Sequence, residues 1–292
     1  VALLEGIKNP LVHIRVGQER LGKAACQNLA VETAKNDILF FTDATICHPP
    51  NALRLLVRSF QDSSVGCVTG KPVFKLDDGC TSKGLDKREK YELFLRSRLG
   101  ELHSLFGATD CMYAIPRRLY VPIRPDLDSG FVGPLKLLER GYRTIYEPEA
   151  LAFVDRPAPG VGDEFVRRSR IVLRGMRGLL HMNHLMNPFR YGFTAVALIS
   201  SRFLRWLTPL FLGTLFLSNL FLLDKPIYQL AFSLQIGFYT MAFATYLFQR
   251  WGFHPGSFFS IPLYFCVISC AAAVGLKRLL AGETGQIWET RR

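Results

Sequence analysis

The 292-residue sequence predicts an α/β sheet domain followed by a helical region in a membrane. Two observations lead to this prediction. Strand and helix patterns alternate over about the first 70 residues, which is typical of a parallel, nucleotide-type sheet. Charge is unevenly divided, since residues 1–205 carry 51 of the 60 Asp, Glu, Lys and Arg residues. The overall composition, 49% apolar and 21% charged, excludes a disordered or collagen-like chain.

Each predicted strand and helix in this alternating order has its own sequence pattern. A short strand is predicted at His13–Val16, and a helix at Lys23–Lys35, where alanine and leucine recur at helical spacing. The next strand, Asp37–Thr42, is apolar on both faces and is therefore predicted to be buried. A helix at Pro50–Phe60 and a strand at Val65–Thr69 continue the order.

Asp43 is the first candidate functional residue. It directly follows the buried strand, and ligands of open α/β sheets bind beyond the carboxyl ends of the strands. The alternative is that its carboxylate only caps the turn after the strand.

The last part of the chain predicts a membrane region. Three runs contain no Asp, Glu, Lys or Arg: Trp206–Leu223, Pro226–Gln249 and Trp251–Leu276. At about 1.5 Å per residue, each is long enough for a hydrocarbon core of about 30 Å. A soluble core is the alternative, but 205 residues are too few to bury three such runs. We therefore predict about three transmembrane helices within 206–292.

Residues 179–205 mix apolar side chains with histidine and arginine, which predicts amphipathic helices in the membrane interface. The expected location is a cell membrane, inner or plasma, with several crossings and a cytosolic N-terminal domain. Three crossings would place the tail outside, yet its Lys277 and Arg278 favour the cytosol, so the number of crossings stays open.

The net charge of +12 indicates an acidic partner. Beside membrane segments, anionic lipid or a phosphorylated substrate is favoured. Basic and aromatic residues do not interleave, so no nucleic-acid partner is predicted. The seven cysteines form no CxxC pair and have no zinc spacing, which predicts buried, reduced thiols.

Seven sequence pieces occur in a fixed order. They are GKAAxxNxA at Gly22–Ala30, FTDA at Phe41–Ala44, PxxLxxLV at Pro50–Val57, VGxVTG at Val65–Gly70, GATxxxYAIxR at Gly107–Arg117, FVxPLKLLERGYRxxYEPEA at Phe131–Ala150 and RRxRIxxRG at Arg167–Gly175. Together with the tail Gly285–Arg292, they resemble the membrane-bound family 2 glycosyltransferases, which include synthases of cellulose, hyaluronan and poly-N-acetylglucosamine.

The resemblance implies a fold and a reaction. Residues 1–178 would form a GT-A domain, a Rossmann-like sheet that binds a nucleotide sugar, without its N-terminal strand and acidic loop. The implied activity is inverting transfer of a sugar from a UDP-sugar to a polysaccharide or lipid-linked acceptor beside the lipid bilayer. Such transfer needs neutralisation of the leaving diphosphate, a general base and in-line positioning.

For the diphosphate, the resemblance implies a divalent metal, Mg²⁺ or Mn²⁺, on an Asp-x-Asp element. Here that element consists of Asp43, Ala44 and Thr45, so Asp43 is the implied metal and nucleotide-sugar ligand, and a neutral threonine replaces the second acid. Lys23 and Asn28 match the GKAAxxNxA piece and are implied nucleotide-sugar ligands. Asn28 has the alternative of fixing its loop.

For the base, relatives carry paired acids immediately before the FVxPL piece. This chain has Ser129 and Gly130 there, with Asp128 and Asp126 just upstream. Asp128 is the predicted catalytic base, and a solvated turn acid is its alternative. Asp110 stands where relatives have glycine, and is either a sign of a lost site or a displaced acid.

For the phosphate end, Arg167–Ile171 matches a Gln-x-x-Arg-Trp element, with its arginine retained as Arg170. A guanidinium binds phosphate through its planar fork, so Arg170 is a predicted nucleotide-sugar ligand. The alternative is a basic helix face on anionic lipid, supported by Arg174 and Arg177.

Two other functions remain open. The departures at Thr45, Asp110, Ser129 and Gly130 fit a catalytically inactive relative that acts as a partner or scaffold. A transporter is disfavoured, because the charge-free runs lack the acids and bases that mark ion pathways.

Overall fold

The computed structural model describes residues 9–15, 21–74, 92–100, 103–154, 161–253 and 256–285. Five strands form one sheet: β1 (Ile38–Thr42), β2 (Ile46–Cys47), β3 (Val65–Phe74), β4 (Met112–Pro116) and β5 (Arg143–Val154). Their order in the sheet is β1-β4-β3-β5-β2. The predicted α/β sheet domain is therefore present.

The sheet is mixed, so the prediction of a parallel sheet is wrong. β3 and β5 are parallel, while β4 runs antiparallel to both β1 and β3, and β2 runs antiparallel to β5. The physical reason is that β4, which follows the alternating region in the chain, inserts between β1 and β3. The predicted strand at His13–Val16 is also wrong over 13–15, which have no regular structure.

Four helices accompany the sheet: α1 (Lys23–Thr33), α2 (Ala52–Arg58), α3 (Ser129–Glu139) and α4 (Val161–His181). Residues 92–100 are also helical. β1 is covered on both faces as predicted, because Leu39 and Phe41 pack in one apolar cluster while Ile38 and Phe40 pack against another. Burial of these side chains is the main stabilising contribution to the sheet.

Short helices connect this domain to the long apolar helices. They are α5 (Pro188–Tyr191), α6 (Phe193–Leu198) and α7 (Leu204–Trp206), with a π-helical turn at Ile199–Phe203. Phe189 and Phe193 are exposed, whereas Leu198 and Trp206 are buried. Apolar side chains are thus exposed as well as buried in this segment. The interfacial position predicted for 179–205 stays a prediction.

Three apolar helices end the described chain: α8 (Thr208–Phe221), α9 (Pro226–Arg250) and α10 (Ser257–Leu280). By length and composition, two are able to cross a membrane, one at Pro226–Arg250 and one at Phe258–Leu280. A third span exists only if Phe193–Trp206 and α8, which meet at an angle of 64°, count as one. Of the three predicted spans, two are therefore supported.

The long helix α10 lies directly on α4. Gly275 makes this contact close, since a Cβ atom added there would lie 2.7 Å from the carbonyl oxygen of Ser169. The hydroxyl of Tyr264 also reaches the carboxylate of Glu164 at 3.1 Å. The sheet domain and a candidate membrane helix are thus packed together through α4.

Burial of the cysteines was predicted correctly only in part. Cys67 and Cys111 are buried, but Cys26, Cys47 and Cys270 are exposed, and none of the six described cysteines forms a disulfide. Cys80 and most of the tail motif, residues 286–292, lie outside the described residues.

Candidate active site

The pairing of β1 with β4 builds the centre of the site. Thr42, the last residue of β1, lies opposite Met112, the first residue of β4, and its hydroxyl donates to the carbonyl of Cys111 at 3.1 Å. Asp43 follows β1 and Asp110 precedes β4, so antiparallel pairing brings both carboxylates to the same end of the sheet, where β1 ends and β4 begins. The sequence placed Asp43 at this end, and the structure adds Asp110.

Lys23 lies between these two carboxylates. Its Nζ is 2.8 Å from Oδ1 of Asp43 and 3.1 Å from Oδ1 of Asp110. Burial lowers the pKa of Lys23, but the charges of Asp110 and Asp43 outweigh burial and raise it above its ordinary value. The ammonium therefore stays charged and holds the two carboxylates together at the first turn of α1.

Asp128 lies at the N-terminus of α3. Its Oδ1 accepts a hydrogen bond from the backbone N–H of Gly130 at 3.0 Å, so it caps the helix. Burial and the charge of Asp110 raise the pKa of Asp128 to about 6, against the opposing effect of Arg174 and Lys23. A carboxylate with such a pKa exchanges protons near pH 6. The base role predicted for Asp128 stays a prediction.

Gly130 makes room for the Asp110 side chain. A Cβ atom added to Gly130 would lie 2.7 Å from Oδ1 of Asp110, which is too close for two unbonded atoms. The carbonyl of Gly130 also accepts a 2.7 Å hydrogen bond from the N–H of Ala108. The loop before β4 and the start of α3 are therefore joined where the Asp110 carboxylate lies.

Arg170 faces this group of carboxylates from α4. Burial, together with Arg174 and Arg167, lowers the pKa of Arg170, while the charges of Asp128 and Asp110 act in the opposite direction. The site therefore has a second cationic side chain, which α4 contributes. Its predicted phosphate contact stays a prediction.

Three further arginines of α4 form ion pairs with acidic side chains. Arg167 and Arg168 pair with Glu164 at 2.7 and 2.6 Å, and Arg177 pairs with Asp126 at 2.8 Å. These contacts weaken the alternative that this helix face binds lipid. They also give Asp126 a structural role, because burial raises its pKa but Arg177 and Arg124 lower it to below its ordinary value.

Both the oxygen and the nitrogen of the Asn28 side-chain amide form hydrogen bonds to the segment 120–123. Its Oδ1 accepts from the hydroxyl of Tyr120 at 2.7 Å and from the N–H of Ile123 at 3.1 Å, and its Nδ2 donates to the carbonyl of Ile123 at 2.8 Å. This geometry favours the loop-fixing alternative for Asn28. A nucleotide contact by Asn28 stays a prediction.

Several supporting residues were not identified from sequence. The hydroxyl of Thr69 donates to the carbonyl of Met112 at 3.0 Å and accepts from the N–H of Thr109 at 2.8 Å. The guanidinium of Arg96 donates a hydrogen bond to the hydroxyl of Thr109. Arg174 donates to the carbonyl of Leu127 at 2.6 Å. Thr69 lies in the VGxVTG piece and Arg174 in the RRxRIxxRG piece. Membership of these pieces is the sequence signal that could have identified them.

The described residues do not fit a resident divalent metal ion. No three His, Cys, Asp or Glu side chains within the described ranges are placed to hold one. Asp43 and Asp110 both contact Lys23, so its ammonium already lies between these two oxygen donors. A divalent cation between Asp43 and Asp110 would meet the positive charge of Lys23.

Comparison with known proteins links this geometry to a reaction class. Residues 1–120 match the family model Glycosyl transferase family 2. The matched segment contains Lys23, Asp43 and Asp110, but not Asp128 or Arg170. No curated protein matches the sequence.

Two solved structures are similar at low identity. A mannosyltransferase from Pyrobaculum calidifontis, PcManGT in complex with GDP-Man and Mn²⁺, is 18% identical over 90% of this chain and 68% of that chain, with a TM-score of 0.47. A mycobacterial protein is 19% identical over 58% of this chain and 54% of its own, with a TM-score of 0.31.

Proposed function

We propose that this protein is a membrane-associated, inverting glycosyltransferase that moves a sugar from a UDP-sugar to a polysaccharide or lipid-linked acceptor. The family match over residues 1–120 is the observation that carries the reaction class. The group of charged side chains at the end of β1 supports it, because acids and cations at the carboxyl edge of a sheet are suited to a nucleotide sugar. The proposed division into a catalytic part (1–178), interfacial helices (179–205) and a membrane region (206–292) follows from the same assignment.

The chain's own residues supply what the reaction requires. Lys23 and Arg170 bring two positive charges to the carboxylates, where they stabilise the negative charge that develops on a leaving diphosphate. A carboxylate of the site takes the proton of the acceptor hydroxyl as that oxygen attacks the anomeric carbon. The packing of α4 on α10 keeps these groups beside a candidate membrane helix, which suits an acceptor that is bound to lipid.

A divalent cation on Asp43 is the further component that the resemblance implies. Bound there, Mg²⁺ or Mn²⁺ would neutralise diphosphate charge. Because Lys23 already bridges Asp43 and Asp110, we propose that its ammonium and Arg170 supply most of this neutralisation.

The function is tested by transfer in membranes that contain the protein. Radiolabelled UDP-sugars and, for comparison, GDP-sugars are supplied, and both incorporation into acceptor and release of nucleoside diphosphate are measured. Lys23→Met is expected to lower both, because it removes the cation between Asp43 and Asp110. The matched control is Lys35→Met, which changes an exposed lysine just beyond the same helix. Absence of transfer and of nucleotide release with every donor would refute the proposal.

An inactive scaffold is the second candidate, and the ion pairs of Lys23 are the observation that favours it. They satisfy the charges of Asp43 and Asp110 within the protein, as expected of a site that no longer binds a substrate. Calorimetry with UDP separates the two candidates. Saturable binding that Lys23→Met weakens supports the enzyme, whereas no binding by the folded protein supports the scaffold.

A further inference from the structure

The site contains three carboxylates, and they are not equally available to a substrate. Asp128 is committed to the cap of α3 through the N–H of Gly130. Asp43 has the shorter contact with Lys23, at 2.8 Å. Asp43 and Asp110 are both accessible, with 41% and 46% of their side chains exposed, but the contact of Asp110 with Lys23 is the longer, at 3.1 Å. Asp110 is therefore the carboxylate best placed to meet an acceptor hydroxyl.

Asp110 also has a central position among the charges. Its carboxylate acts on the pKa of Lys23, Asp128 and Arg170, which belong to three different helices. The loop that carries it is fixed by Thr69 and Arg96 through Thr109, one residue away. A carboxylate that touches solvent on a well-supported backbone meets the geometric requirement for a catalytic group.

Gly130 explains how Asp110 reaches this position. Oδ1 of Asp110 lies 2.7 Å from the point at which a Cβ atom of residue 130 would begin. Any side chain at 130 would start in the volume that this oxygen needs. The family that this chain resembles has an acid at position 130 and usually glycine at position 110, and this chain has the reverse. In the structure, residues 110 and 130 lie against each other.

We propose that the carboxylate of Asp110 is the general base of the transfer reaction and that Asp128 is a positioning residue. The acceptor O–H bond breaks and its proton passes to Asp110, while the acceptor oxygen bonds the anomeric carbon. The bond from that carbon to the diphosphate oxygen breaks, and its electron pair leaves with the nucleoside diphosphate. Asp128 acts through Gly130, by fixing the start of α3. This assignment of the base rests on the proposed glycosyltransferase function.

The first test is Asp110→Asn, which keeps the shape of the side chain and removes the base. We expect kcat to fall by about 10²–10⁴-fold. UDP affinity in calorimetry is expected to change little, because Lys23 keeps Asp43 as a partner. Asp62→Asn is the matched control, since Asp62 lies in a surface turn where its carboxylate accepts from the N–H of Ser64. Wild-type kcat in Asp110→Asn would overturn the proposal.

The second test exchanges the two positions. Asp110→Gly alone is expected to lose transfer, and Asp110→Gly with Gly130→Asp is expected to regain a measurable part of it, because the carboxylate then enters the same volume from α3. If the folded double variant is no more active than Asp110→Gly, a carboxylate from position 130 does not replace that of Asp110, and this part of the proposal is overturned. If the wild-type protein transfers no sugar from any donor, the proposed function fails as well. If the wild-type protein transfers sugar and Asp110→Asn transfers it at the same rate, only the assignment of the base fails.

Discussion

Replacing Glu164 by alanine is expected to destabilise the contact between α4 and α10 strongly. Glu164 has no exposed surface, and its carboxylate accepts from Arg167 at 2.8 Å, from Arg168 at 2.6 Å and from the hydroxyl of Tyr264 at 3.1 Å. Removing one partner of a buried ion pair costs about 3–5 kcal/mol, because the other charge is left without compensation. Arg168 keeps the hydroxyl of Tyr264, at 3.2 Å, so we expect the lower end, about 3 kcal/mol.

The assay is thermal unfolding of the purified protein in detergent or nanodiscs. At about 2 °C per kcal/mol for a chain of this size, Glu164→Ala lowers the midpoint by about 6 °C. The control is Glu149→Ala, which removes an exposed carboxylate that pairs with Arg58 at 3.4 Å and is expected to cost less than about 1 kcal/mol. Adding Arg168→Ala to Glu164→Ala should recover part of the loss, since no buried charge is then left alone. A midpoint change no larger than that of the control would refute the reasoning.

The same residue predicts a pH dependence with a definite sign. Burial raises the pKa of Glu164, but Arg168 and Arg167 outweigh it, so the folded-state pKa lies below the ordinary value of 4.5. The stabilising contribution is therefore complete above pH 4.5 and is lost as the pH falls through the folded-state pKa. The midpoint difference between wild type and Glu164→Ala should stay constant near neutral pH and narrow below 4.5.

Three further predictions concern the site and the helix packing. Asp128→Asn keeps a good N-cap and removes a carboxylate whose pKa is raised to about 6, so it should stabilise the protein by about 1 kcal/mol more at pH 8 than at pH 5, measured by chemical denaturation. Gly275→Ala should lower the unfolding midpoint, since overpacking against Ser169 costs about 1–3 kcal/mol. UDP affinity should change less than about tenfold when EDTA replaces Mn²⁺, because the ammonium of Lys23 already bridges Asp43 and Asp110.

Each of these predictions has its own contrary outcome. Equal effects of Asp128→Asn at both pH values would show that its carboxylate carries no ionisation penalty in the folded state. Gly237→Ala is the control for Gly275→Ala, because nothing lies within 4 Å of an added Cβ there, and equal effects would contradict close packing of α10 on α4. Loss of UDP binding in EDTA would show that a metal ion, and not Lys23, provides the neutralisation.

Much of the local structure was predictable because it depends on neighbouring residues. β1 follows from the four-residue apolar run Ile38–Phe41, and the end of the strand places Asp43 at the end of the sheet. The long apolar helices follow from runs without charge. Helix α1 begins at Lys23 as predicted but ends at Thr33, two residues before the predicted end.

The predictions that failed depend on distant parts of the chain. The parallel sheet was predicted from alternation alone, but β4 enters between β1 and β3 from more than 35 residues further along the chain. The partner of Asn28 was also not visible in the sequence, because its amide bonds Ile123, 95 positions away; its nucleotide contact stays a prediction. Nothing in the local pattern of either segment reports such a contact.

The amino-acid sequence by itself determined the order of the motifs, the division between a charged domain and apolar helices, and the position of Asp43 after a buried strand. These properties follow from short-range periodicity and composition. Only the tertiary structure decided that Lys23 bridges Asp43 and Asp110, 87 positions away, and that Asp110 fills the space left by Gly130. The physical reason is that a site is formed by side chains from separate elements, and their distances are set by strand pairing and helix packing.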